Sequence, residues 1–187
     1  RDRTGPEYVA LVEESLVEYQ RLARMIDAML FLARADSANV ALELTELQLN
    51  AELRKLSAYF SVLAEERSVV IRVSGDATLV ADAILFQRAI HNVLSNAVRH
   101  AWPNSMIDLV VRREAAHCCI DITNVGDPIP ERELSLIFDR FFRGDRARSN
   151  SSQSTGLGLA IVLSIMELHG GDASAVSGLD GKTRFTL

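Results

Sequence analysis

The chain has 187 residues and a formal net charge of −5, with 48% apolar and 24% charged residues. This balance is typical of one or two globular domains and provides no broad basic surface, which disfavours nucleic acid as a partner. No apolar run reaches the roughly 20 residues that a membrane-spanning helix needs. We therefore expect a segment of a longer protein, with any membrane anchor outside it.

The first predicted element is a long amphipathic helix over residues 6–36, in which apolar side chains recur at spacings of three to five. These are Leu11, Leu16, Tyr19, Leu22, Ile26, Met29, Leu30 and Ala33. One helix cannot cover its own apolar stripe, so a second helix from this chain or from a partner is required, as in a dimeric bundle. A polar break at 36–39 predicts two domains, 1–38 and 39–187.

After this break the pattern predicts strands at 40–49, 69–73 and 78–80 and helices at 51–66 and 82–101. Asn50 is the expected N-cap of the helix over 51–66. An antiparallel hairpin of strands 106–114 and 117–125 follows, then a short helix over 131–137 and a polar, mobile loop over 143–155. A helix over 155–170 and strands at 172–177 and 183–187 complete an α+β fold, a two-layer sandwich with helices on one face of a mixed sheet.

The hairpin contains the only two cysteines, Cys118 and Cys119, directly after His117. Adjacent side chains in a strand point to opposite faces, so we expect no disulfide between them. The spacing also lacks the paired CxxC or HxxxH pattern of metal sites. We interpret both as ordinary thiols of a strand.

Two asparagines give the helix over 82–101 its most unusual feature. Asn92 and Asn96 are four residues apart and therefore share a face. Amide oxygens suit Mg²⁺, and Arg99 lies one turn further on, where it could meet a phosphate. Two surface asparagines are the simpler interpretation of this helix taken alone.

Three later segments carry similar signals. Asn124 ends a strand, where its carbonyl can accept from an exocyclic amine, and Gly126 lets the backbone bend closely past a ligand. Gly156 and Gly158 open a helix whose free N–H groups favour an anion. Between them, IFDRFFRGD provides arginine charge for phosphates. Each segment alone also has a simpler interpretation. The first fits a plain loop, the glycine pair fits the start of a helix, and IFDRFFRGD fits a short amphipathic helix.

The order of these segments resembles the motif series of the GHKL ATP-binding fold of sensor histidine kinases. HNVLSNAVRHA is similar to the N box, TNVGDPIP to the G1 box, IFDRFFRGD to the F box, STGLGLAIV to the G2 box and GKTRF to the last glycine box. The resemblance covers about residues 6–187 and implies a Bergerat-type sandwich preceded by the second helix of a dimerisation hairpin. MLFLARAD, LAEERSV and NVGDPIP look most like the branch that senses heavy metals such as copper, silver, zinc or cadmium.

The resemblance implies ATP and Mg²⁺ as cofactors. Asn92 and Asn96 would hold the metal, Asn96, Arg99 and Arg143 would form the catalytic group, and Asn124 would stand where an acid usually accepts from the adenine amine. Pro128 replaces the second glycine of the G1 box. The residues expected to contact the nucleotide are Asn92, Asn96, Arg99, His100, Asn124, Gly126, Ile129, Phe138, Phe142, Arg143, Thr155, Gly156, Leu157, Gly158 and Leu159.

The implied reaction is phosphoryl transfer from ATP to a histidine and then to an aspartate of a response regulator. The four histidines, His91, His100, His117 and His169, all lack the family's acceptor context, an acidic residue followed by LRTP. We therefore expect no autophosphorylation by this segment alone. The resemblance also implies a homodimer through helix 6–36 with a missing acceptor helix, in the cytoplasmic part of a bacterial inner-membrane receptor.

Two other functions fit the residues. A gyrase-type or chaperone GHKL ATPase places a glutamate one turn before the metal-binding asparagine to activate water, whereas Asn92 is a poor base. A nucleotide-binding scaffold is allowed by Asn124 in place of the acid. A plain helical interaction module leaves the four boxes unexplained.

Overall fold

The computed structural model describes residues 4–37, 40–114, 117–144 and 155–187. Its helices are α1 Gly5–Asp36, α2 Leu49–Glu66, α3 Ala83–His100, α4 Glu131–Leu134 and α5 Gly158–Leu168. Its strands are β1 Leu44–Gln48, β2 Val70–Ser74, β3 Thr78–Asp82, β4 Met106–Glu114, β5 His117–Val125, β6 Ser174–Ser177 and β7 Lys182–Thr186. Among these described helices, none is both long and apolar enough to cross a membrane.

The strands form two sheets. The larger one has the order β2-β4-β5-β7-β6, in which β2 runs parallel to β4 and all other pairs are antiparallel. The expected two-layer sandwich with a mixed, mostly antiparallel sheet is confirmed. One detail was wrong, because β1 and β3 do not join this sheet but pair with each other in a separate antiparallel ladder.

The main core lies between the large sheet and helices α2 and α3. Alternate residues of β4 and β5 face the helices, so that every second side chain is apolar and buried. Fully buried members include Leu53, Phe60, Ile90, Leu94, Ile107, Leu109, Ile122 and Phe185. This packing fixes α3, and with it both asparagines, against the centre of the sheet.

Helix α1 packs against α5 through a second apolar cluster. Ala28 and Leu32 of α1 are buried against Leu157, Ile161 and Ile165. The apolar stripe that the sequence singled out faces the other way and is largely exposed, from Leu11 to Leu30. Within the described residues nothing covers it, and the helix expected to pair with it stays a prediction.

Several boundaries differ from the prediction. The first strand is only Leu44–Gln48, and α2 already begins at Leu49. Asn50 therefore lies inside the first turn and is not the N-cap, which is Gln48. The backbone N–H of Asn50 donates to the carboxylate of Asp76 at 3.2 Å, so the turn between β2 and β3 satisfies it instead.

The C-terminal half follows the prediction with shorter helices. The hairpin of β4 and β5 is present, although its turn residues 115–116 lie outside the described chain. The short helix ends at Leu134 rather than at 137, because the chain continues in turns with i to i−3 hydrogen bonds. The last helix begins at Gly158, three residues later than predicted. Most of the expected mobile loop, residues 145–154, lies outside the described chain.

Candidate functional site

The start of helix α3 is held by a buried carboxylate. Asp82 is its N-cap and accepts from the backbone N–H groups of Ile84 and Leu85 at 3.0 Å each. The hydrogen bond from Leu85 is the main reason why the pKa of Asp82 lies below its usual value, against the opposing effect of burial. Nε2 of His169 accepts from the Asp82 N–H at 3.0 Å, while its Nδ1 lies 2.8 Å from the carbonyl of Ile165. This histidine therefore ties the end of α5 to the start of α3.

The two asparagines lie at the edge of the buried face of α3. That face consists of Phe86, Ala89, Ile90, Val93, Leu94, Ala97 and Val98. The amide nitrogen of Asn92 donates to the carbonyl of Arg88 at 2.9 Å, and its oxygen lies 3.2 Å from the place of a β-carbon on Gly158. The half-buried carboxamide of Asn96 makes no hydrogen bond within the described residues. The oxygen of Asn92 thus lies beside the start of α5. The carboxamide of Asn96 is available to a ligand.

The F-box segment is attached to the glycines before α5. The backbone N–H of Phe141 donates to the carbonyl of Gly156 at 2.9 Å. Gly156 has φ +71°, and a β-carbon there would stand 2.8 Å from the carbonyl oxygen of Phe142. Only glycine fits this position without strain. Phe138 packs against the main core, whereas Phe141 is half exposed.

Asn124 is the least satisfied polar side chain at the end of β5. It is 3% exposed, stands between Ile107 and Thr183 in the sheet, and forms no side-chain hydrogen bond with any described residue. Neither polar atom of this carboxamide is among the described side-chain atoms that are fully buried without a partner, so part of the small remaining exposure lies at the carboxamide. A ligand with matching donors and acceptors could therefore reach it and hydrogen-bond to it.

Gly126 brings the end of β5 into contact with the end of α3. A β-carbon on Gly126 would stand 2.1 Å from the carbonyl oxygen of His100, so no larger residue fits. Gly126 also forms an isolated antiparallel bridge with Ala101. The asparagine helix therefore contacts the G1 segment at one end and the G2 segment near its middle.

The basic residues at the end of α3 are partly desolvated. Desolvation lowers the pKa of His100, the charges of Arg99 and Arg67 lower it further, and Asp127 opposes them. The imidazole is therefore favoured in its neutral form. Desolvation also lowers the pKa of Arg99.

The remaining predicted residues are spread around this arrangement. Ile129 and Leu159 pack against the main core. The side chain of Leu157 is 1% exposed and packs in the second apolar cluster, with residues of α1 and α5. Arg143 and Thr155 are half-buried and lie on either side of residues 145–154, which are outside the described chain.

Some contacts at this site had no signal in the sequence. Arg140 of the F-box segment donates to the carboxylate of Asp36 at the end of α1, at 2.6 Å. The guanidinium of Arg88 lies 4.4 Å from the ring centre of Phe31. Both pairs join residues far apart in the chain, so no local pattern could have indicated them.

The donor set fits a magnesium-bound nucleotide. Neutral amide oxygens suit a hard cation that keeps several waters. The carboxamide of Asn124, which makes no hydrogen bond with any described residue, offers both an acceptor and donors to a base. At glycines 126, 156 and 158 a side chain would meet neighbouring protein atoms, so close packing of the surrounding segments requires glycine at all three positions.

Solved structures share this architecture. The histidine kinase AdeS of Acinetobacter baumannii aligns with a TM-score of 0.77 at 16% identity, covering 100% of this chain and 84% of that one. Full-length ShkA in complex with AMPPNP aligns with a TM-score of 0.81 at 21% identity, covering 100% of this chain and 39% of that one. These likenesses show that the chain has the α/β sandwich fold of these proteins.

Residues 81–187 match the family described as histidine kinase-, DNA gyrase B- and HSP90-like ATPases, and the chain belongs to this family. Sensor protein IrlS of Burkholderia pseudomallei is 43% identical over 187 residues, covering 100% of this chain and 40% of IrlS. Sensor histidine kinase CusS of Escherichia coli strain K12 is 37% identical over 190 residues, covering 100% of this chain and 39% of CusS. The chain thus spans about 40% of the length of these relatives.

Proposed function

We propose that this chain is the ATP-binding catalytic part of a sensor histidine kinase. It transfers the terminal phosphoryl group of ATP to a histidine carried on a separate acceptor helix, from which a response-regulator aspartate takes it. The observation that carries the proposal is the position of α3. This helix contacts Gly158 through Asn92 and Gly126 through His100, so one element forms the common wall of the glycine segments and the base-recognising strand end.

Asn92 and Asn96 would hold Mg²⁺ through their amide oxygens, and this ion would neutralise charge on the phosphates during transfer. Arg99 and Arg143 would contact the phosphates, with the N–H groups at the start of α5 as further donors. These groups act by orientation and by electrostatic stabilisation, which dominate phosphoryl transfer.

The base would lie against the end of β5. Asn124 would accept from the adenine amine and donate to a ring nitrogen, in place of the acid that is usual in the family. The neutral state of His100 is compatible with a position beside the base, because it places no extra charge there.

The whole protein would be a receptor of a bacterial inner membrane, with this part in the cytoplasm. We propose residues 1–38 as part of the dimerisation domain and residues 39–187 as the catalytic domain. The exposed stripe of α1 would pair with the acceptor helix and with a second subunit. The motifs MLFLARAD, LAEERSV and NVGDPIP support a place in the heavy-metal-sensing branch.

The decisive experiment mixes this chain with labelled ATP, Mg²⁺ and a separately produced acceptor-helix segment of a sensor histidine kinase such as CusS. An acid-labile phosphohistidine should appear on the acceptor and be absent with the Asn96→Ala variant. Steady ATP hydrolysis without acceptor labelling would favour an ATPase of the gyrase or chaperone type. Tight Mg·ATP binding with neither reaction would favour a nucleotide-binding scaffold, which the loss of the acid at Asn124 permits.

A further inference from the structure

We propose that Trp102 is a positioning residue for the base-binding side of the site, on the premise that Asn124 recognises adenine as set out above. Trp102 directly follows the end of α3 and is the only tryptophan of the chain. Trp102 is 46% exposed in the structure. The sequence alone also gives no reason to place it in a site. Its contacts, however, join three segments that are distant in sequence.

Trp102 is attached to the G1 segment at both its backbone and its ring. Its backbone N–H donates to the carbonyl of Val125 at 2.8 Å. Its indole N–H donates to the carboxylate of Asp127 at 3.3 Å. Gly126 lies between these two acceptors, and Asn124 directly precedes them. The orientation of the strand end is therefore tied to the orientation of one indole ring.

The opposite edge of the ring packs on the turn between β6 and β7. Two ring carbons lie 3.2 and 3.3 Å from the place of a β-carbon on Gly181. Gly181 has φ +79°, and its carbonyl accepts from the Gly126 N–H at 2.7 Å. The last glycine box is thus clamped between the indole and the G1 segment.

Loss of the Trp102 contacts should weaken binding of the base and not binding of the phosphates. Asn96 and Asn92 lie about two and three turns before Trp102, and the contact of Asn92 with Gly158 is made there, away from the clamp. Removing the indole would release Asp127 and the turn at Gly181, and the carboxamide of Asn124 would be held less firmly relative to the asparagine helix. Binding groups that are not held in place lose affinity through ordering costs.

The test compares ATP with inorganic triphosphate, both with Mg²⁺, by calorimetry. Trp102→Ala should weaken ATP about fivefold or more, the factor expected for roughly one hydrogen bond, while triphosphate affinity stays within about twofold. Trp102→Phe, which keeps an aromatic ring over Gly181, should recover much of the ATP affinity. Tyr59→Ala removes an exposed aromatic ring of α2 and should change neither ligand.

A spectroscopic readout uses the wild-type chain. Because Trp102 is the sole tryptophan, its emission should change with saturating ATP but not with triphosphate. An equal loss of affinity for ATP and for triphosphate in Trp102→Ala, which leaves the ratio of the two affinities unchanged, would overturn the proposal. Tryptophan emission that does not change with ATP would also overturn it. If Trp102→Ala does not fold, Trp102→Phe and the wild-type emission decide. Failure of the wild-type chain to bind ATP would instead contradict the proposed function itself.

Discussion

The side-chain oxygen of Asn92 lies 3.2 Å from the place where a β-carbon would stand on Gly158. The carboxamide is not free to turn away, because its nitrogen donates to the carbonyl of Arg88 at 2.9 Å. The start of α5 and the asparagine face of α3 are therefore in direct contact. The backbone of Gly158 does not require glycine, since its φ is not in the left-handed region. Glycine is required there because a side chain would press on the Asn92 oxygen.

Gly158→Ala should consequently separate stability from binding. The added methyl group displaces the Asn92 oxygen by a few tenths of an ångström, and we expect Mg·ATP affinity to fall by about tenfold. Melting temperature should change little, because Gly158 is the first residue of α5, where the advantage of alanine over glycine inside a helix, about 1 kcal/mol, is only partly realised. Calorimetric titration and thermal melting measure the two effects.

Gly156→Ala provides the contrast, since Gly156 has φ +71° and backbone atoms of Phe141 within 3 Å of its β-carbon position. This variant should lose about 1–2 kcal/mol of stability or more. Wild-type nucleotide affinity in a folded Gly158→Ala variant would show that the contact with Asn92 has no functional role.

Asn96→Ala should abolish the magnesium dependence of nucleotide binding at little structural cost. The half-buried carboxamide makes no hydrogen bond within the described part of the chain, so the free energy of unfolding should change by less than about 0.5 kcal/mol. The measurement is the ATP dissociation constant with Mg²⁺ and with a chelator. Ser95→Ala is the matched control one residue away, and a preserved Mg²⁺ effect in Asn96→Ala would remove the residue from the metal site.

Asn124→Ala should weaken ATP more than inorganic triphosphate, because the lost group would contact only the base. The free energy of unfolding should change by less than about 1 kcal/mol, because the substitution breaks no hydrogen bond with any described residue. Asn124→Asp keeps an acceptor at the same place and should retain ATP binding. Equal loss of both ligands in the alanine variant would argue against adenine recognition by this residue.

The parts of the fold that could be predicted from sequence are those set by local periodicity. The long first helix, the asparagine helix and the hairpin of β4 and β5 each have a repeat that is complete within the element. The spacing of Asn92 and Asn96 placed them on one face for the same reason. The order of the glycine segments indicated the family, but only as a series.

The parts that could not be predicted depend on pairings between distant segments. Asn50 looked like an N-cap, but the competing acceptor, Asp76, is 26 residues away. The separate ladder of β1 and β3 and the ion pair of Arg140 with Asp36, 104 residues apart, have the same origin. Likewise, nothing near Asn124 in the sequence indicates that this residue is nearly buried while its carboxamide makes no hydrogen bond with a described residue.

Helix α1 should contribute to the stability of the α5 region through one buried face. Leu32 is 2% exposed in the cluster with α5, whereas Leu16 on the opposite stripe is 54% exposed. Leu32→Ala should cost about 2–4 kcal/mol in urea unfolding, because it leaves a cavity. Leu16→Ala, the same change on the same helix, should cost less than about 0.5 kcal/mol. Similar values for both variants would mean that α1 does not dock on α5 in solution.

The buried carboxylate of Asp82 should make the stability of the fold depend on pH below about 4. Its folded-state pKa is lowered, chiefly by the hydrogen bond from Leu85, so the unfolded chain binds more protons as acid is added. The stabilisation is complete above the unfolded value of about 3.9 and is lost as the pH falls through the folded one.

At pH 7, Asp82→Ala should cost about 1–2 kcal/mol by removal of the N-cap. Asp82→Asn, which keeps a capping oxygen without the charge, should lose less and should lack this part of the acid sensitivity. Urea unfolding of the three proteins at several pH values measures this, and a cost of Asp82→Ala that stays constant down to pH 2.5 would contradict it.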